Sequence, residues 1–204
     1  TAETILVLEE EGDGVSKTTD NGWNWSSAVS SKVTEGHTIA VSGDDVLVGS
    51  SAAGNHKVGY SSDGGETFDK TEALPDAGDA HIAFDTGFDS NDTIYAAVAG
   101  YDGKVYRWVV DTSADWKDLN VDLNENDNGY YGIVLGKSDN TLYAAYDGGV
   151  ARLMGPEETT CCTSESWDYL VTKAKDFTVE PSSLRICGCL TVDTNSNLYA
   201  IDND

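Results

Sequence analysis

The chain has 204 residues, with 36 acidic against 12 basic side chains, a formal net charge of −24, and 39% hydrophobic and 9% aromatic content. Such a length and apolar fraction can build a packed globular domain, while so negative a surface disfavours nucleic acid and anionic lipid as partners. No stretch approaches the roughly 18 consecutive apolar residues of a membrane-spanning helix, and Thr1 is not followed by a basic region and an apolar run, as expected of a processed or excerpted chain.

Taken in order, the chain reads as short strands separated by polar turns. Ile5-Leu6-Val7-Leu8 comes first, and a second strand with Val15 near its start leads into the turn Thr18-Thr19-Asp20-Asn21-Gly22-Trp23-Asn24-Trp25. The next unit runs Thr38-Ile39-Ala40-Val41, the turn Gly43-Asp44-Asp45, Val46-Leu47-Val48, a strand at Val58, and the turn Ser61-Ser62-Asp63-Gly64-Gly65-Glu66-Thr67-Phe68. A third unit repeats this with His81-Ile82-Ala83-Phe84, Ile94-Tyr95-Ala96-Ala97 and a strand at Val105. A fourth has Gly132-Ile133-Val134-Leu135, Leu142-Tyr143-Ala144-Ala145 and a strand at Val150. Leu190-Thr191-Val192 and Leu198-Tyr199-Ala200-Ile201 open a fifth. These runs are short, rich in β-branched and aromatic residues, and bounded by Asp, Asn, Ser or Thr, which is strand composition. Val15, Val58, Val105 and Val150 are separated by 43, 47 and 45 residues, a period the size of one propeller blade.

Two turns share one spacing: a hydroxyl (Thr18, Ser61), an Asp two residues on (Asp20, Asp63), a Gly two further (Gly22, Gly65) and an aromatic three beyond that (Trp25, Phe68). The Asp can accept backbone N–H groups across the bend, the Gly supplies positive φ, and the aromatic leaves the turn for a core. The pattern resembles the Asp-box of the BNR/sialidase-like β-propellers. In the third and fourth units the turn has decayed to Thr112-Ser113-Ala114-Asp115-Trp116 and Thr163-Ser164-Glu165-Ser166-Trp167, with the aromatic kept. Burying an aromatic between sheets removes roughly 150–250 Å² from water, so Trp25, Phe68, Trp116 and Trp167 are expected at equivalent core positions.

The fold expected is all-β: a β-propeller-like array of four-stranded antiparallel blades in a single domain, with units at about 1–36, 37–79, 80–129 and 130–180 and a partial unit at 181–204. The count begins at a second strand and ends on a first and a second. Either the Leu190–Val192 strand pairs with the N-terminal unit, closing four blades and leaving Leu198–Ile201 over, or the chain is an open array or a segment of a longer propeller whose ends are covered by neighbours.

Dispersed turn carboxylates usually face water, but two segments alternate oxygen-bearing side chains as a calcium loop does. One is Asp122-Leu123-Asn124-Glu125-Asn126-Asp127-Asn128-Gly129, where Asp122, Asn124, Asn126 and Asp127 are candidate calcium ligands. The other is Asp193-Thr194-Asn195-Ser196-Asn197. Neither is an EF-hand loop, since Gly129 falls two residues late and Ile133 occupies the twelfth position; both also read as plain turns. Apart from calcium, no cofactor is expected. Cys161, Cys162, Cys187 and Cys189 are even in number and suit two disulfides of an extracellular chain; a thiolate metal site, whose usual spacing differs, and free thiols are the other readings. Asn24-Trp25-Ser26 and Asn91-Asp92-Thr93 are glycosylation triplets, at Asn24 and Asn91. His37, His56 and His81 form no metal-ligand spacing.

The resemblance raises the question of catalysis. Sialidases hold the substrate carboxylate with three arginines and have an Arg-Ile-Pro signature; the Arg-Ile here is Arg185-Ile186, followed by Cys187. Arg107 and Arg152 both follow a repeat Val, as Lys17 follows Val15, and so read as repeat positions. Asp-box glycosidases that cleave xyloglucan place two carboxylates about 5–10 Å apart in a cleft between two propellers, more than this chain can build. The reading is a secreted or cell-surface structural or assembly protein without catalytic residues, as in a surface layer or extracellular filament, associating with itself or with flanking repeats. A glycan-binding or glycan-cleaving propeller and a protein-complex assembly factor are the alternatives.

Overall fold

The computed structural model describes residues 4–9, 12–51, 56–100, 103–121, 129–136, 140–146, 149–158, 162–163, 166–171, 190–192 and 197–200. Its strands fall into successive antiparallel sheets in chain order. The first holds β1 (Ile5–Leu8), β2 (Gly14–Thr18) and β3 (Val29–Ser30). The second holds β4 (Gly36–Ser42), β5 (Asp45–Ser50), β6 (Val58–Ser61) and β7 (Asp69–Lys70). β8 (Asp79–Phe84), β9 (Thr93–Ala99), β10 (Val105–Val109) and β11 (Lys117–Asp118) form the third, with a one-turn helix α1 (Phe88–Asn91) between its first two strands. The fourth comprises β12 (Tyr130–Leu135), β13 (Thr141–Tyr146), β14 (Gly149–Met154) and β15 (Trp167–Val171), and β16 (Leu190–Val192) pairs with β17 (Leu198–Ala200).

Each four-stranded sheet is an up-and-down blade whose strands lie in sequence order, as tight hairpins require. The β4–β5 hairpin turns through Gly43-Asp44, with Gly43 at φ +61°, the glycine-first geometry that matches strand twist. The first strands of successive blades pack on one another, β4 against β8, β8 against β12 and β12 against β16, along the inner side of the array. The second strands are covered on both faces, so β5, β9 and β13 read as continuous apolar runs, with Val46, Leu47, Val48, Ile94, Tyr95, Ala96, Leu142 and Ala144 fully buried.

The core is divided between sheets. Val15, Val33, Val46, Val48 and Phe68, with Leu6 and Leu8 against them, join the first blade to the second. Leu47, Val58, Leu74, Ile94, Tyr106, Trp108 and Trp116 join the second to the third. Tyr95, Leu119, Val121, Tyr130, Leu142, Leu153 and Trp167 join the third to the fourth, and Leu198 packs on Ala145 and Val150 beyond that. This blade-on-blade stacking is the nearest-neighbour logic of a repeat protein. Of the two closures expected, the four-blade ring is not formed: Leu190, Thr191 and Val192 pair with Ala200, Tyr199 and Leu198, and among the described residues β1 pairs with β2 alone. A strand that already has its own hairpin partner satisfies its ladder locally and has no need of the distant β1.

Candidate functional site

The two Asp-box turns are superposable in their hydrogen bonds. Thr18 Oγ1 donates to Asp20 Oδ1 at 2.8 Å and accepts from the Gly22 amide at 3.0 Å; Ser61 Oγ donates to Asp63 Oδ1 at 2.7 Å and accepts from the Gly65 amide at 2.9 Å. Each Asp then spans the bend, Asp20 accepting the Asn24 amide at 2.9 Å and Asp63 the Glu66 and Thr67 amides at 2.9 Å. Its second oxygen takes the side chain four residues on, Asn24 Nδ2 or Thr67 Oγ1, each at 2.6 Å. Gly22 and Gly65 have φ of +89° and +82°, the conformation that favours glycine. Donors aimed at the carboxylates favour their charged forms. The Asn24 backbone and side chain and the Thr18 hydroxyl lower the Asp20 pKa to about 2, and the Thr67 side chain and backbone and the Ser61 hydroxyl hold Asp63 further below its ordinary range.

The aromatics that leave these turns follow one rule, with one exception. Phe68, Trp116 and Trp167 are 2%, 7% and 5% exposed, each packed toward the preceding blade. Trp116 Nε1 donates to the Glu72 carbonyl at 3.0 Å and Trp167 Nε1 to the Leu119 carbonyl at 2.9 Å. Those acceptors lie just past the fourth strand of the previous blade. Trp25 departs from the expected burial: it is 44% exposed, and its Nε1 donates to Gly22 in its own turn at 3.1 Å. The physical reason is positional, because no described sheet precedes the first blade. Beside it Trp23 is 86% exposed, and on β1 Ile5 and Val7 are 42% and 44% exposed although their counterparts in β5, β9 and β13 are fully buried. Trp23 stands at the turn position that the exposed Glu66 holds in the second blade, whereas Trp25, Ile5 and Val7 are exposed at positions that the other described blades bury.

The cationic repeat positions are spent within and between blades. Arg107, on β10 opposite Tyr95, is buried, and its Nη1 donates to the carbonyls of Pro156 and Glu158 at 2.8 and 2.7 Å, tying the third blade to the fourth. Arg152 on β14 pairs with Asp168 across β15 at 2.6 Å. Lys17 on β2 reaches Glu66 of the second blade's turn at 3.5 Å.

The histidines hold one arrangement that their spacing conceals. His37 sits at a bulge where the β4–β5 register shifts between Gly36 and Thr38, and a bulge re-aims a side chain. Its ring meets that of His81 edge-on, centroids 5.1 Å apart, with Asp79 Oδ2 4.0 Å from His37 Nε2. Burial, reinforced by His37, lowers the His81 pKa to about 3. A bulge leaves no mark in sequence spacing, which is why the pair was not expected. Among the described residues no three His, Cys, Asp or Glu side chains are gathered to hold a metal ion.

The candidate calcium ligands Asp122, Asn124, Asn126 and Asp127 lie outside the described residues, as do Cys161, Cys187 and Cys189. Cys162 is buried, its carbonyl accepting from Asn120 Nδ2 at 2.6 Å. Of the glycosylation positions, Asn24 is exposed but its amide is held by Asp20. The Asn91 amide donates to Asp85 Oδ1 at 2.8 Å while its Oδ1 accepts the Thr93 amide at 3.0 Å.

No protein-family profile and no curated protein matches the sequence. Solved structures do match in fold. A structural genomics protein of unknown function from Bacteroides thetaiotaomicron aligns over 99% of this chain and 50% of its own length, with a TM-score of 0.66 and 16% identity. An ancestral GH74 enzyme aligns over 85% of this chain and 23% of its own (TM-score 0.61, 20% identity). A structure of the nidogen/laminin complex aligns over 78% and 58% (TM-score 0.60, 11% identity). The chain thus has a β-propeller fold and spans about a quarter to three-fifths of these neighbours' lengths. Such folds carry both enzymes and protein-binding modules, so the activity has to be argued from the site.

Proposed function

We propose that the chain is a non-catalytic Asp-box scaffold, a secreted or cell-surface component of an extracellular assembly. The exposed apolar side chains of the first described blade carry this reading: Trp25, Ile5 and Val7 are exposed at positions whose counterparts in the other described blades are buried against a neighbour. The arginines support it as well, because Arg107 and Arg152 are engaged within the blades and do not gather to clamp a substrate carboxylate. In the same proposal the four cysteines form two disulfides, checked by intact mass before and after reduction with alkylation, and two alkylatable pairs before reduction would reject it. Calcium bound around Asp122 and Asp127 would steady the assembly, and titration calorimetry with calcium alone would reveal it; no heat would remove that element.

A glycan-binding reading has one observation of its own, the adjacent exposed Trp23 and Trp25, since aromatic faces can stack on sugar rings. The two separate by assay. The purified chain should show no turnover of sialosides, β-glucans or xyloglucan, and its tryptophan fluorescence should not respond to their oligosaccharides. Hydrolysis of any of them would overturn the scaffold reading, and a saturable fluorescence response lost in Trp23→Ala would replace it with the glycan-binding one.

A further inference from the structure

The second and third blades meet along their inner strands with little slack. Thr38 Oγ1 donates to the Ala80 carbonyl at 2.7 Å, and the same carbonyl lies so close to Gly49 that a Cβ there would meet it at 2.3 Å. His81, the next residue of β8, is 8% exposed, and its Nδ1 has no hydrogen-bond partner. A neutral imidazole nitrogen can be buried in this way at modest cost. An imidazolium, with an N–H donor on each side and a full charge, cannot. The His81 ring meets His37 of β4 edge-on at 5.1 Å, and it is His37 Nε2 that the Asp79 carboxylate approaches, at 4.0 Å. Among the described residues no carboxylate forms an ion pair with His81.

We infer that His81 is an acid-sensitive latch between the second and third blades: while neutral it lets β8 close on β4, and a proton taken up on its ring parts the two strands. The groups around it offer such a charge no compensation. β4 brings His37, whose own proton would repel a second one 5.1 Å away, and Asp79 on β8 faces His37. β9 sets Ala97 opposite His81, and its one ionisable residue, Tyr95, is held by Asp85. β5 brings Gly49 to this level and keeps Asp45 at its other end, bonded by the Tyr60 hydroxyl. β12, which also packs on β8, carries Tyr130 and Tyr131 as its titratable groups.

Burial, reinforced by His37, draws the His81 pKa from the ordinary 6.5 down to about 3. The closed contact keeps the neutral form, whereas an opened one takes up a proton near the ordinary value. The stabilisation is therefore whole above about pH 6.5 and declines as the pH falls from there toward 3. One proton changes the ratio of closed to open forms by up to about tenfold per pH unit in that window, or about a hundredfold by pH 4.5. The effect belongs to this contact: Val15, Val48 and Phe68 between the first and second blades, and Arg107 bonded to Pro156 and Glu158 between the third and fourth, involve no histidine. It also has a pH range of its own, because the turn carboxylates Asp20 and Asp63 titrate at lower pH. Mild acid thus uncovers Leu47, Ala80 and Ile82 of the core between the second and third blades first. The latch does not depend on the assembly proposed above.

The test is amide hydrogen exchange of the full chain between pH 7 and 4.5, corrected for the intrinsic pH dependence of exchange. Protection of Ile39–Val41 in β4 and Ile82–Phe84 in β8 is expected to fall by roughly tenfold or more relative to β13 and β14. His81→Phe, which cannot take up a proton, should keep β4 and β8 level with β13 and β14 across the range, and His56→Gln should leave the fall in place. Should His81→Phe not fold, the imidazole resonances of the native chain decide, with His81 expected to stay neutral down to pH 4.5. Unchanged protection across the range overturns the inference. So does a fall that β13 and β14 share equally, one that persists in His81→Phe or vanishes in His56→Gln, or one accompanied by a His81 resonance that titrates near 6.5.

Discussion

At the scale of single residues, position in the array decides what an aromatic contributes. Phe68 and Trp116 fill the space between two sheets, so Phe68→Ala or Trp116→Ala should cost about 3–5 kcal/mol in denaturant unfolding, as large-to-small changes in closed cores do. Trp25 occupies the same place in its turn but faces outward, and Trp25→Ala should cost less than about 1 kcal/mol in the dissociated chain; equal costs at the three positions would contradict the blade alignment. The turn carboxylates give a second prediction. Asp20 and Asp63 are held below the ordinary aspartate value of about 3.9, so their stabilisation is present above about pH 4 and is lost as the pH falls through about 2 for Asp20 and lower still for Asp63. In Asp20→Asn and Asp63→Asn that acid-dependent part of the stability curve should shrink; unchanged acid unfolding in both would show that the turns do not depend on charge. The turn chemistry was readable from sequence because hydroxyl, Asp, Gly and aromatic act within one bend. Trp25's exposure was not, because it depends on a neighbour several tens of residues away. The His37–His81 contact was hidden for a different reason, since a bulge changes a side chain's direction without changing its spacing.

At the scale of elements, the strands and their grouping follow from local signals. Apolar runs of four to seven residues between Asp, Asn and Gly turns allow little but hairpins, and Ile5–Leu8, Val46–Val48, Ile94–Ala97 and Leu142–Ala145 fall in β1, β5, β9 and β13. The pairing of β16 was left open by the sequence because Ile5–Leu8 and Leu198–Ile201 have the same strand composition; in the structure β17 takes it. Cohesion between blades can be tested through the arginines. Arg107 is buried with two carbonyl acceptors in the fourth blade's loop, so Arg107→Ala should cost about 2–4 kcal/mol by orphaning them. Arg107→Lys should recover only part, since an ammonium cannot reproduce the planar fork. Arg152, in a solvent-facing pair with Asp168, should cost under about 1 kcal/mol when replaced by Ala. A reversal of that order by thermal unfolding would mean the third and fourth blades are held by something other than this contact.

For the whole molecule, the proposed assembly makes β1 the strand that a partner covers: Ile5 and Val7 are exposed where their counterparts in β5, β9 and β13 are fully buried. Composition favoured a single acidic β domain and could not say which apolar strand residues are exposed, because the same apolar run appears in a covered strand such as β5 and in β1. Hydrogen exchange of the Ile5–Leu8 amides as a function of protein concentration tests the claim most directly. At high dilution β1 should exchange much faster than β5, β9 and β13, and at high concentration it should slow toward them as its open edge is paired. Exchange of β1 that is equally slow at every dilution, or equally fast at every concentration, would contradict it.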